Sequence, residues 1–136
     1  MNVLIVDDEP DVHSATSLAI RNIRYKDRGL ELISAYSAAQ AEQMLQLHDD
    51  IALILLDVVM ETDDAGLQLV QRIREVMQNN TSRIVLRTGQ PGQAPEQEVI
   101  LNYDINDYKT KTELTVQKLF TTVIASLRAY ENLITI

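Results

Sequence analysis

The chain has 136 residues, 46 % of them hydrophobic and none of them cysteine, and carries a formal net charge of −8. This length predicts one domain over residues 1–136, with a core that needs neither disulfides nor a thiolate metal site. The negative charge argues against direct binding to nucleic acid. No run reaches about 18 apolar residues, so we expect no membrane span and no membrane partner. Because the first residues lack the basic region of a signal peptide, we expect a cytoplasmic domain.

Short apolar runs alternate with helical patterns along the chain. The runs at 2–6 and 51–56 are apolar on both faces, which is typical of strands covered by helices on both sides of a parallel sheet. Pro10 is favoured in the first turn of a helix, and Ser37 with Gln40 has the spacing of a capping box. In chain order, the predicted elements are a strand at 2–6, a helix at 10–26, a strand at 30–36, a helix after Ser37, a strand at 51–56, a helix from Gly66 with Val76 on its inward face, a strand at 83–88, a helix at 95–102, a strand at 105–108 and a last helix at about 112–134.

Five strand–helix units predict an α/β fold with a parallel sheet, right-handed crossovers and helices on both faces. We expect the flavodoxin-like, doubly wound (βα)5 arrangement with strand order 2-1-3-4-5, in which the first and third strands are neighbours. In such open sheets, ligands bind at the carboxyl ends of the strands. Asp7 and Asp8 follow the first strand, and Asp57 follows the third. We therefore expect these three carboxylates to converge at one edge of the sheet.

Three carboxylates this close repel one another unless a cation lies among them. Carboxylate and carbonyl oxygens are the ligands that Mg²⁺ prefers. Zinc is disfavoured, because the chain has no cysteine and its histidines, His13 and His48, are not spaced as a pair. We expect His13 on an exposed or boundary face of a helix and His48 in a turn, and we assign neither a role. An aspartate beside Mg²⁺ can attack phosphorus and form an acyl phosphate.

Such a reaction also needs groups that neutralise the phosphoryl oxygens. A hydroxyl, Thr88, ends the fourth strand, and two amines, Lys109 and Lys111, follow the fifth. Each residue alone has an ordinary structural explanation, since an aspartate at a strand end often caps the next helix and a lysine there is usually solvated. Their conjunction at four strand ends indicates a site for phosphoryl chemistry.

The segments at 3–10, 53–60, 88–89 and 107–111 read VLIVDDEP, LILLDVVM, TG and DYKTK. They resemble the receiver domain of bacterial two-component response regulators, and the resemblance covers essentially the whole chain. It implies that Asp57 accepts a phosphoryl group from a phosphohistidine on a sensor histidine kinase or a phosphotransfer protein. It also implies that the domain is not an enzyme, apart from catalysing its own phosphorylation and dephosphorylation.

The resemblance implies that Mg²⁺ is the cofactor, and it also implies which residues coordinate the ion. Asp8 and Asp57 would hold the ion directly, together with the backbone carbonyl of Val59. Asp7 would act through a water molecule. All four residues follow the first or the third strand, so the implied metal site coincides with the carboxylate cluster that the strand order predicts.

The resemblance also implies how the phosphoryl group is sensed. Lys111 would pair with it or with the Asp57 carboxylate, and Thr88 would move to donate a hydrogen bond to it. Tyr108, three residues before Lys111, would turn inward when Thr88 moves. The result would be a switch of the face formed by helix 4, strand 5 and helix 5, which acts on an output or partner and through which such domains form homodimers.

Three features depart from the family pattern. Thr112 follows Lys111 where proline with a cis peptide bond is common. A cis bond before a non-proline residue costs about 2.5–4 kcal/mol, so we predict a trans bond and a changed path into the last helix. The loop at 60–66 lacks proline and is one residue longer, so we expect it to be more mobile and to alter Mg²⁺ affinity. Arg87 stands where an apolar residue is common. We expect it at the surface facing a partner, or paired with an acidic residue near the fifth strand.

The end of the chain stays compatible with a helix and contains no glycine or proline stop after residue 127. We expect the last helix, at about 112–134, to continue into a linker. The segments at 85–90, 104–109 and 121–130 resemble receivers placed ahead of larger signalling outputs, including HD-type cyclic-di-GMP phosphodiesterases. This resemblance implies a covalently linked output domain outside the 136 residues.

Three other functions share parts of the pattern. A phosphatase of the haloacid-dehalogenase type would use Asp57 as its nucleophile, but the acid/base aspartate expected two residues later is Val59 here, and no segment forms a cap. A flavodoxin-like cofactor module would need a Ser/Thr/Gly-rich phosphate loop where Asp7 and Asp8 stand. A degenerate receiver that acts without phosphorylation is disfavoured, because all the site residues are present.

Overall fold

The fold is a central parallel sheet with helices on both faces, and the computed structural model describes it for residues 1–89, 96–111 and 114–135. In chain order the elements are β1 (Asn2–Val6), α1 (Pro10–Ile20), β2 (Arg24–Tyr25), β3 (Arg28–Gly29), β4 (Glu31–Ala35), α2 (Ala38–Leu47), β5 (Ile51–Asp57), α3 (Ala65–Gln71) continuing as a π-helical turn (Arg72–Val76), β6 (Arg83–Thr88), α4 (Glu96–Asn102), β7 (Asp107–Thr110) and α5 (Val116–Ile134). The sheet has the order β4-β1-β5-β6-β7, with all neighbours parallel. Counting only these five strands, the order is 2-1-3-4-5, so the predicted doubly wound α/β fold is confirmed.

The central strand β5 is buried along all seven of its residues. Successive strand residues point to opposite faces of a sheet. Ile54 and Leu56 accordingly pack with the apolar residues of α2 and α3, whereas Leu53 and Leu55 pack with those of α1 and α5. A strand enclosed in this way has no solvated face along its length. Its polar residue, Asp57, therefore stands at the carboxyl end, where the covering helices give way to loops.

A two-stranded hairpin follows α1 and takes the place of the last turns of the predicted first helix. Helix α1 ends at Ile20, and β2 and β3 pair antiparallel through Arg24 with Gly29 and Tyr25 with Arg28. The two residues between the strands both have positive φ values, 51° at Lys26 and 64° at Asp27. Positive φ at both central residues is the geometry of the type I′ turn, whose twist suits a tight hairpin. The prediction of one helix over residues 10–26 is therefore wrong beyond Ile20.

The hairpin is attached to the far end of α5 by a single carboxylate. Glu131 accepts hydrogen bonds from Tyr25 Oη at 3.2 Å, Lys26 Nζ at 2.5 Å and Arg28 Nη2 at 2.8 Å. The hydrogen bond from Lys26 is the largest of the influences that lower the pKa of Glu131. These hydrogen bonds fix the hairpin against the last helix, although the two lie about a hundred residues apart in the chain.

A π-helical turn changes which side chains of the third helix face inward. A π turn contains one more residue than an α turn, so the side chains after it are rotated about the helix axis. Val76, which the helical spacing predicts to be inward, is 63 % exposed, whereas Arg74 is buried. The Arg74 guanidinium donates to the backbone carbonyls of Asp104 and Asn79, both at 3.0 Å. The inward placement of Val76 is therefore wrong, and Arg74 connects this helix to the loop before β7.

Side-chain caps determine where two helices begin. Ser37 Oγ accepts the amide hydrogen of Gln40 at 3.1 Å, and the Gln40 side chain accepts from the amide of Tyr36 at 2.9 Å. The predicted cap of α2 is therefore confirmed. Helix α5 begins after Thr115, whose side chain accepts from the amide of Lys118, and so starts later than predicted.

Two predictions fall on residues that the structure does not describe. They are the trans bond before Thr112 and the start of the fourth helix at Pro95. The fifth strand of the sheet begins two residues later than predicted and runs over Asp107–Thr110. Within the described part of the chain, no helix combines the length and the apolar character needed to cross a bilayer.

Candidate functional site

Three carboxylates meet at the carboxyl edge of the sheet. β1 and β5 are neighbours, so Asp7 and Asp8 after β1 lie beside Asp57 at the end of β5. Each of the three residues offers an oxygen, and these oxygens all lie within 4.8 Å of one another. Asp7 and Asp57 are buried, whereas Asp8 is exposed. The cluster expected from the strand order is therefore present, with one carboxylate that solvent can reach.

Lys111 provides the nearest positive charge to this cluster. Its Nζ lies 3.0 Å from Asp7 Oδ2, 3.4 Å from Asp57 Oδ2 and 3.8 Å from Glu9 Oε1. Burial alone would lower the pKa of this lysine, but the contact with Asp7 and the negative charges around it raise the pKa instead. Lys111 is thus held in its charged form within reach of three carboxylates.

The environment of Asp57 makes its ionisation unfavourable. Burial, followed by the repulsion of Asp7, raises the pKa of Asp57 from 3.8 to about 6, although Lys111 and the amide of Val59 oppose the shift. The Val59 amide lies 3.4 Å from Asp57 Oδ1. A cation placed among the carboxylates would offset both unfavourable influences. Oxygen ligands with two buried like charges and an open side at Asp8 fit a hard divalent ion such as Mg²⁺.

Two further candidate residues lie on the neighbouring strands. Thr88 ends β6, beside β5, and is 1 % exposed. Its carbonyl accepts the amide hydrogen of Lys111 at 2.8 Å, so the two strand ends that carry these side chains are fixed relative to each other. Tyr108, on β7, is buried among the apolar residues that cover the α2 and α3 side of the sheet, so the side chain expected to turn inward is already inward in this structure.

The position of Arg87 differs from both alternatives expected for it. Its side chain is only 5 % exposed, and its Nη1 donates to Thr16 Oγ1 on α1 at 3.0 Å. Its Nε and Nη2 are buried and have no hydrogen-bond partner among residues 1–89, 96–111 and 114–135. Burial lowers the pKa of the guanidinium, and the charges of Asp7 and then Asp57 oppose this effect. Strand alternation could have indicated an inward side chain, because Arg87 shares the face of Val85, but it could not have identified the neighbours.

His13 is also buried, contrary to the expectation of an exposed or boundary position. It is 4 % exposed, and the centroid of its ring lies 4.2 Å from that of Tyr36, with the two ring planes tilted by 34°. Its Nε2 lies 2.7 Å from the backbone carbonyl of Asp7, which can only accept, so Nε2 is the donor. Its Nδ1 lies 3.0 Å from Ser34 Oγ. His13 therefore connects the backbone of the carboxylate cluster to β4.

Replacing His13 with alanine should lower the free energy of unfolding by about 2–3 kcal/mol, because it removes a buried hydrogen bond and leaves a cavity. Urea unfolding followed by circular dichroism measures the effect. Ser14, which is exposed on the same helix, provides the matched control, and Ser14→Ala should change the value by less than about 0.5 kcal/mol. Equal stabilities of the two variants would contradict the structural role of His13.

The acidic loop after β5 is held by hydrogen bonds at several points, and its greater mobility and its effect on Mg²⁺ affinity stay predictions. Glu61 accepts the amide hydrogens of Ala38 and Ala39, at 2.9 and 3.4 Å, at the start of α2. Partial burial raises the pKa of Glu61, but these hydrogen bonds outweigh it and leave the pKa lowered. At the end of the loop, the Gly66 amide donates to the carbonyl of Val58 at 2.9 Å.

The comparisons with known proteins agree with the fold and with the resemblance of the motifs. Over 131 residues the chain is 54 % identical to 3'3'-cGAMP-specific phosphodiesterase 2 of Vibrio cholerae serotype O1, a match that covers 96 % of this chain and 25 % of that protein. The chain thus spans about a quarter of the length of this relative. The expected resemblance to receivers that precede phosphodiesterases is confirmed.

Solved structures agree in fold. A response regulator receiver domain protein from Clostridium thermocellum has a TM-score of 0.79 at 15 % identity, covering 98 % of both chains. The N-terminal domain of a response regulator with sensory box and GGDEF domains from Carboxydothermus hydrogenoformans has a TM-score of 0.77 at 22 % identity, covering 98 % of this chain and 99 % of that one. The family model described as "Response regulator receiver domain" matches residues 3–124. The chain therefore belongs to the response regulator receiver domains, the family of phosphorylation-based two-component signalling.

Proposed function

We propose that Asp57 is the phosphoacceptor of this receiver and that a phosphohistidine of a sensor histidine kinase or phosphotransfer protein is its donor. The observation that carries the proposal is the contact of Asp57 with Lys111 at 3.4 Å inside a cluster that also contains Asp7 and Asp8. An Asp57 oxygen attacks phosphorus, and the bond between phosphorus and the histidine nitrogen breaks with its electron pair left on the imidazole. The chain itself remains a signalling domain, which switches between phosphorylated and free states.

The residues around Asp57 would bind the metal ion and the phosphoryl group. Asp8, Asp57 and the Val59 carbonyl would hold Mg²⁺ directly, and Asp7 would hold it through water. When bound, Mg²⁺ neutralises charge on the phosphoryl oxygens. Lys111 donates to the phosphoryl group and remains attached to Asp7, which keeps its amine near the reacting atoms. The oxygen-rich donor set and the raised pKa of Asp57 support this assignment.

The response to phosphorylation runs through Thr88 and Tyr108. Thr88 moves to donate its hydroxyl hydrogen to a phosphoryl oxygen, and Tyr108 occupies the space that Thr88 leaves. Both residues are buried and lie on adjacent strands, so a shift of one affects the packing of the other. The signal reaches the face of α4, β7 and α5. Large hydrophobic side chains are exposed on both helices of this face, Ile100 and Leu101 on α4 and Val116 and Phe120 on α5, which supports homodimer or partner contacts there.

The whole protein is proposed to carry an output domain beyond this receiver, covalently linked through α5. The support is the phosphodiesterase relative, of which the chain covers only 25 %. Phosphorylation of Asp57 would then regulate a phosphodiesterase output of the same polypeptide. Measuring cyclic dinucleotide hydrolysis by the full-length protein with and without phosphorylation tests this part separately.

A titration with beryllofluoride, which mimics a phosphoryl group, tests the central proposal. In the presence of Mg²⁺, the amide resonances of Asp57, Val59, Thr88 and Gly89 should shift strongly, because the ligand occupies the proposed phosphoryl position. Asp57→Ala should abolish the shifts, whereas Asp63→Ala, at an exposed residue of the following loop, should leave them unchanged. An unperturbed wild-type spectrum, or an equal response of Asp57→Ala, would falsify the proposal.

The same preparation separates the receiver from a phosphatase and from a degenerate receiver. A receiver incorporates at most one phosphoryl group per chain from a small phosphodonor and loses it slowly. Repeated turnover of p-nitrophenyl phosphate would instead indicate a phosphatase. Absence of any incorporation would indicate a receiver that acts without phosphorylation.

A further inference from the structure

Arg87 is a buried cation beneath the carboxylate cluster. It lies on β6 directly opposite Asp57 of β5 in the strand register, and the carbonyl of Arg87 accepts the amide hydrogen of Val58 at 3.3 Å. Its side chain reaches across to Thr16 on α1. It also lines the floor of a cleft of about 300 Å³ between α1 and the start of α5. The backbone of Arg87 thus lies beside that of Asp57, and its guanidinium lies on the α1 side of the sheet.

The hydrogen bonds of Arg87 do not explain its burial. Nε and Nη2 have no hydrogen-bond partner within the described part of the chain, and the bond from Nη1 to Thr16 is made to a neutral hydroxyl. Leaving a charged group buried with unsatisfied donors is unfavourable unless nearby opposite charges offset the loss of hydration. The opposite charges near Arg87 are those of Asp7 and Asp57. Because the group is withdrawn from solvent, salt screens this attraction poorly.

The positive charge of Arg87 reduces the net negative charge of the carboxylate cluster. Asp7, Asp8 and Asp57 carry three negative charges when ionised, and Lys111 and Arg87 carry two positive ones. The net charge of the group is therefore −1 with Arg87 and −2 without it. An entering divalent cation is attracted less by the smaller negative charge and is also repelled by the guanidinium directly.

We propose that Arg87 is a fixed counter-cation of the carboxylate cluster, which weakens Mg²⁺ binding and so sets the metal concentration at which phosphotransfer begins. The inference rests on the proposed function, since it concerns the same metal site. Arg87 acts through Asp7 and Asp57 and does not touch the phosphoryl group. It is therefore a positioning residue of this receiver.

Mg²⁺ affinity is the direct test, measured by calorimetry or by amide shifts at fixed pH and salt. Arg87→Met keeps an unbranched side chain and removes the charge, and it should bind Mg²⁺ about tenfold more tightly than wild type. Arg87→Lys keeps the charge and should stay within about threefold of wild type. Thr16→Val removes the hydroxyl acceptor but no charge, and should likewise leave the affinity nearly unchanged.

Two outcomes would overturn the inference: equal or weaker Mg²⁺ binding by Arg87→Met, or a loss of affinity in Thr16→Val as large as the change in Arg87→Met. If Arg87→Met does not fold, the Arg87 Nε–H resonance of the wild type replaces it. That resonance should shift during the Mg²⁺ titration with the same midpoint as the Val59 amide, and a stationary resonance counts against the inference. The Asp8→Asn variant distinguishes the two proposals: if wild type and Asp8→Asn bind Mg²⁺ equally, the proposed metal site itself is wrong.

Discussion

Replacing Asp57 with asparagine should abolish phosphorylation of the chain and, in metal-free buffer at pH 8, raise its free energy of unfolding by about 2 kcal/mol. The loss of phosphorylation follows because an amide is not a nucleophile towards phosphorus. The gain in stability follows because burial and Asp7 make the ionised Asp57 unfavourable, as its pKa of about 6 indicates. The shift of about two units corresponds to ~3 kcal/mol, which we reduce for screening by the solvent at the open side of the site.

The gain should depend on pH in a defined direction. The folded-state pKa of Asp57 lies above the value of 3.8 expected for the unfolded chain. The folded state therefore binds this proton more tightly, and the stability that the protonated group contributes is complete below pH 3.8 and is lost as the pH rises to about 6. Asparagine resembles the protonated carboxyl group. The advantage of Asp57→Asn should therefore be full above pH 6 and smaller at pH 5.

Urea unfolding in the presence of a chelator, at pH 5 and pH 8, measures these differences. Addition of Mg²⁺ should stabilise the wild type and not Asp57→Asn, because ligand binding to the folded state adds to its stability. Asp63→Asn, on the exposed part of the loop, controls for the change in net charge. If Asp57→Asn and the wild type were equally stable at pH 8, ionisation of Asp57 would carry no cost in the free energy of unfolding, and this prediction would be wrong.

Replacing Gly66 with alanine should destabilise the fold by about 3 kcal/mol or more. A Cβ atom at this position would lie 2.0 Å from the carbonyl oxygen of Asp57 and 2.8 Å from Cα of Val58. Both are backbone atoms, so no side-chain rotation can relieve the contact. Helix α3 would have to move away from β5, and the Gly66 amide would lose its hydrogen bond to the carbonyl of Val58.

Gly29→Ala is the matched control for this variant. The nearest atom to a Cβ at Gly29 is Nη1 of Arg24 at 3.9 Å, an ordinary contact with a flexible side chain. Its effect on the free energy of unfolding should stay within about 1 kcal/mol. Gly66→Ala should also weaken Mg²⁺ binding, because it displaces the backbone that carries Asp57. If Gly66→Ala had the stability and Mg²⁺ affinity of the wild type, the backbone would be able to accommodate a Cβ atom at position 66 without cost, which would contradict this prediction.

Periodicity and residue order were sufficient to predict the sheet and the meeting of the strand ends. Strands such as β5 are apolar along their whole length, and the open parallel fold brings their carboxyl ends to one edge. The proximity of Asp7, Asp8 and Asp57 follows from this arrangement. The assignment of roles to Val59 or Tyr108 rests on the family resemblance, because neither spacing nor burial indicates what those residues do.

Other features depend on contacts that no local pattern contains. Ile23 continues the helical spacing of α1, yet it is buried beside a hairpin whose turn residues, Lys26 and Asp27, adopt positive φ. Partners far away in the sequence, chiefly Glu131, hold that turn. Helical spacing likewise places Val76 inward, whereas the π turn presents Arg74 there, where distant carbonyl groups accept its hydrogen bonds.

Buried polar residues are the hardest to foresee. Arg87 and His13 both stand at positions whose side chains face the interior, but their polarity suggested exposure. Each is accommodated by groups from another part of the chain: Thr16 and the Asp7 and Asp57 charges for Arg87, and a backbone carbonyl for His13. Because such partners become neighbours only after folding, their identification requires the structure.

Because Glu61 accepts hydrogen bonds at the start of α2, the loop after Asp57 is restrained by a side-chain contact that can break, and not by a rigid backbone. A proline restricts a loop through its own backbone, wherever the neighbouring helix lies. Glu61 restrains the loop only while the amides of Ala38 and Ala39 stay in reach. Any partner that displaces α2 would therefore remove this restraint on the loop, and a protonated or amidated Glu61 would do the same from the other side.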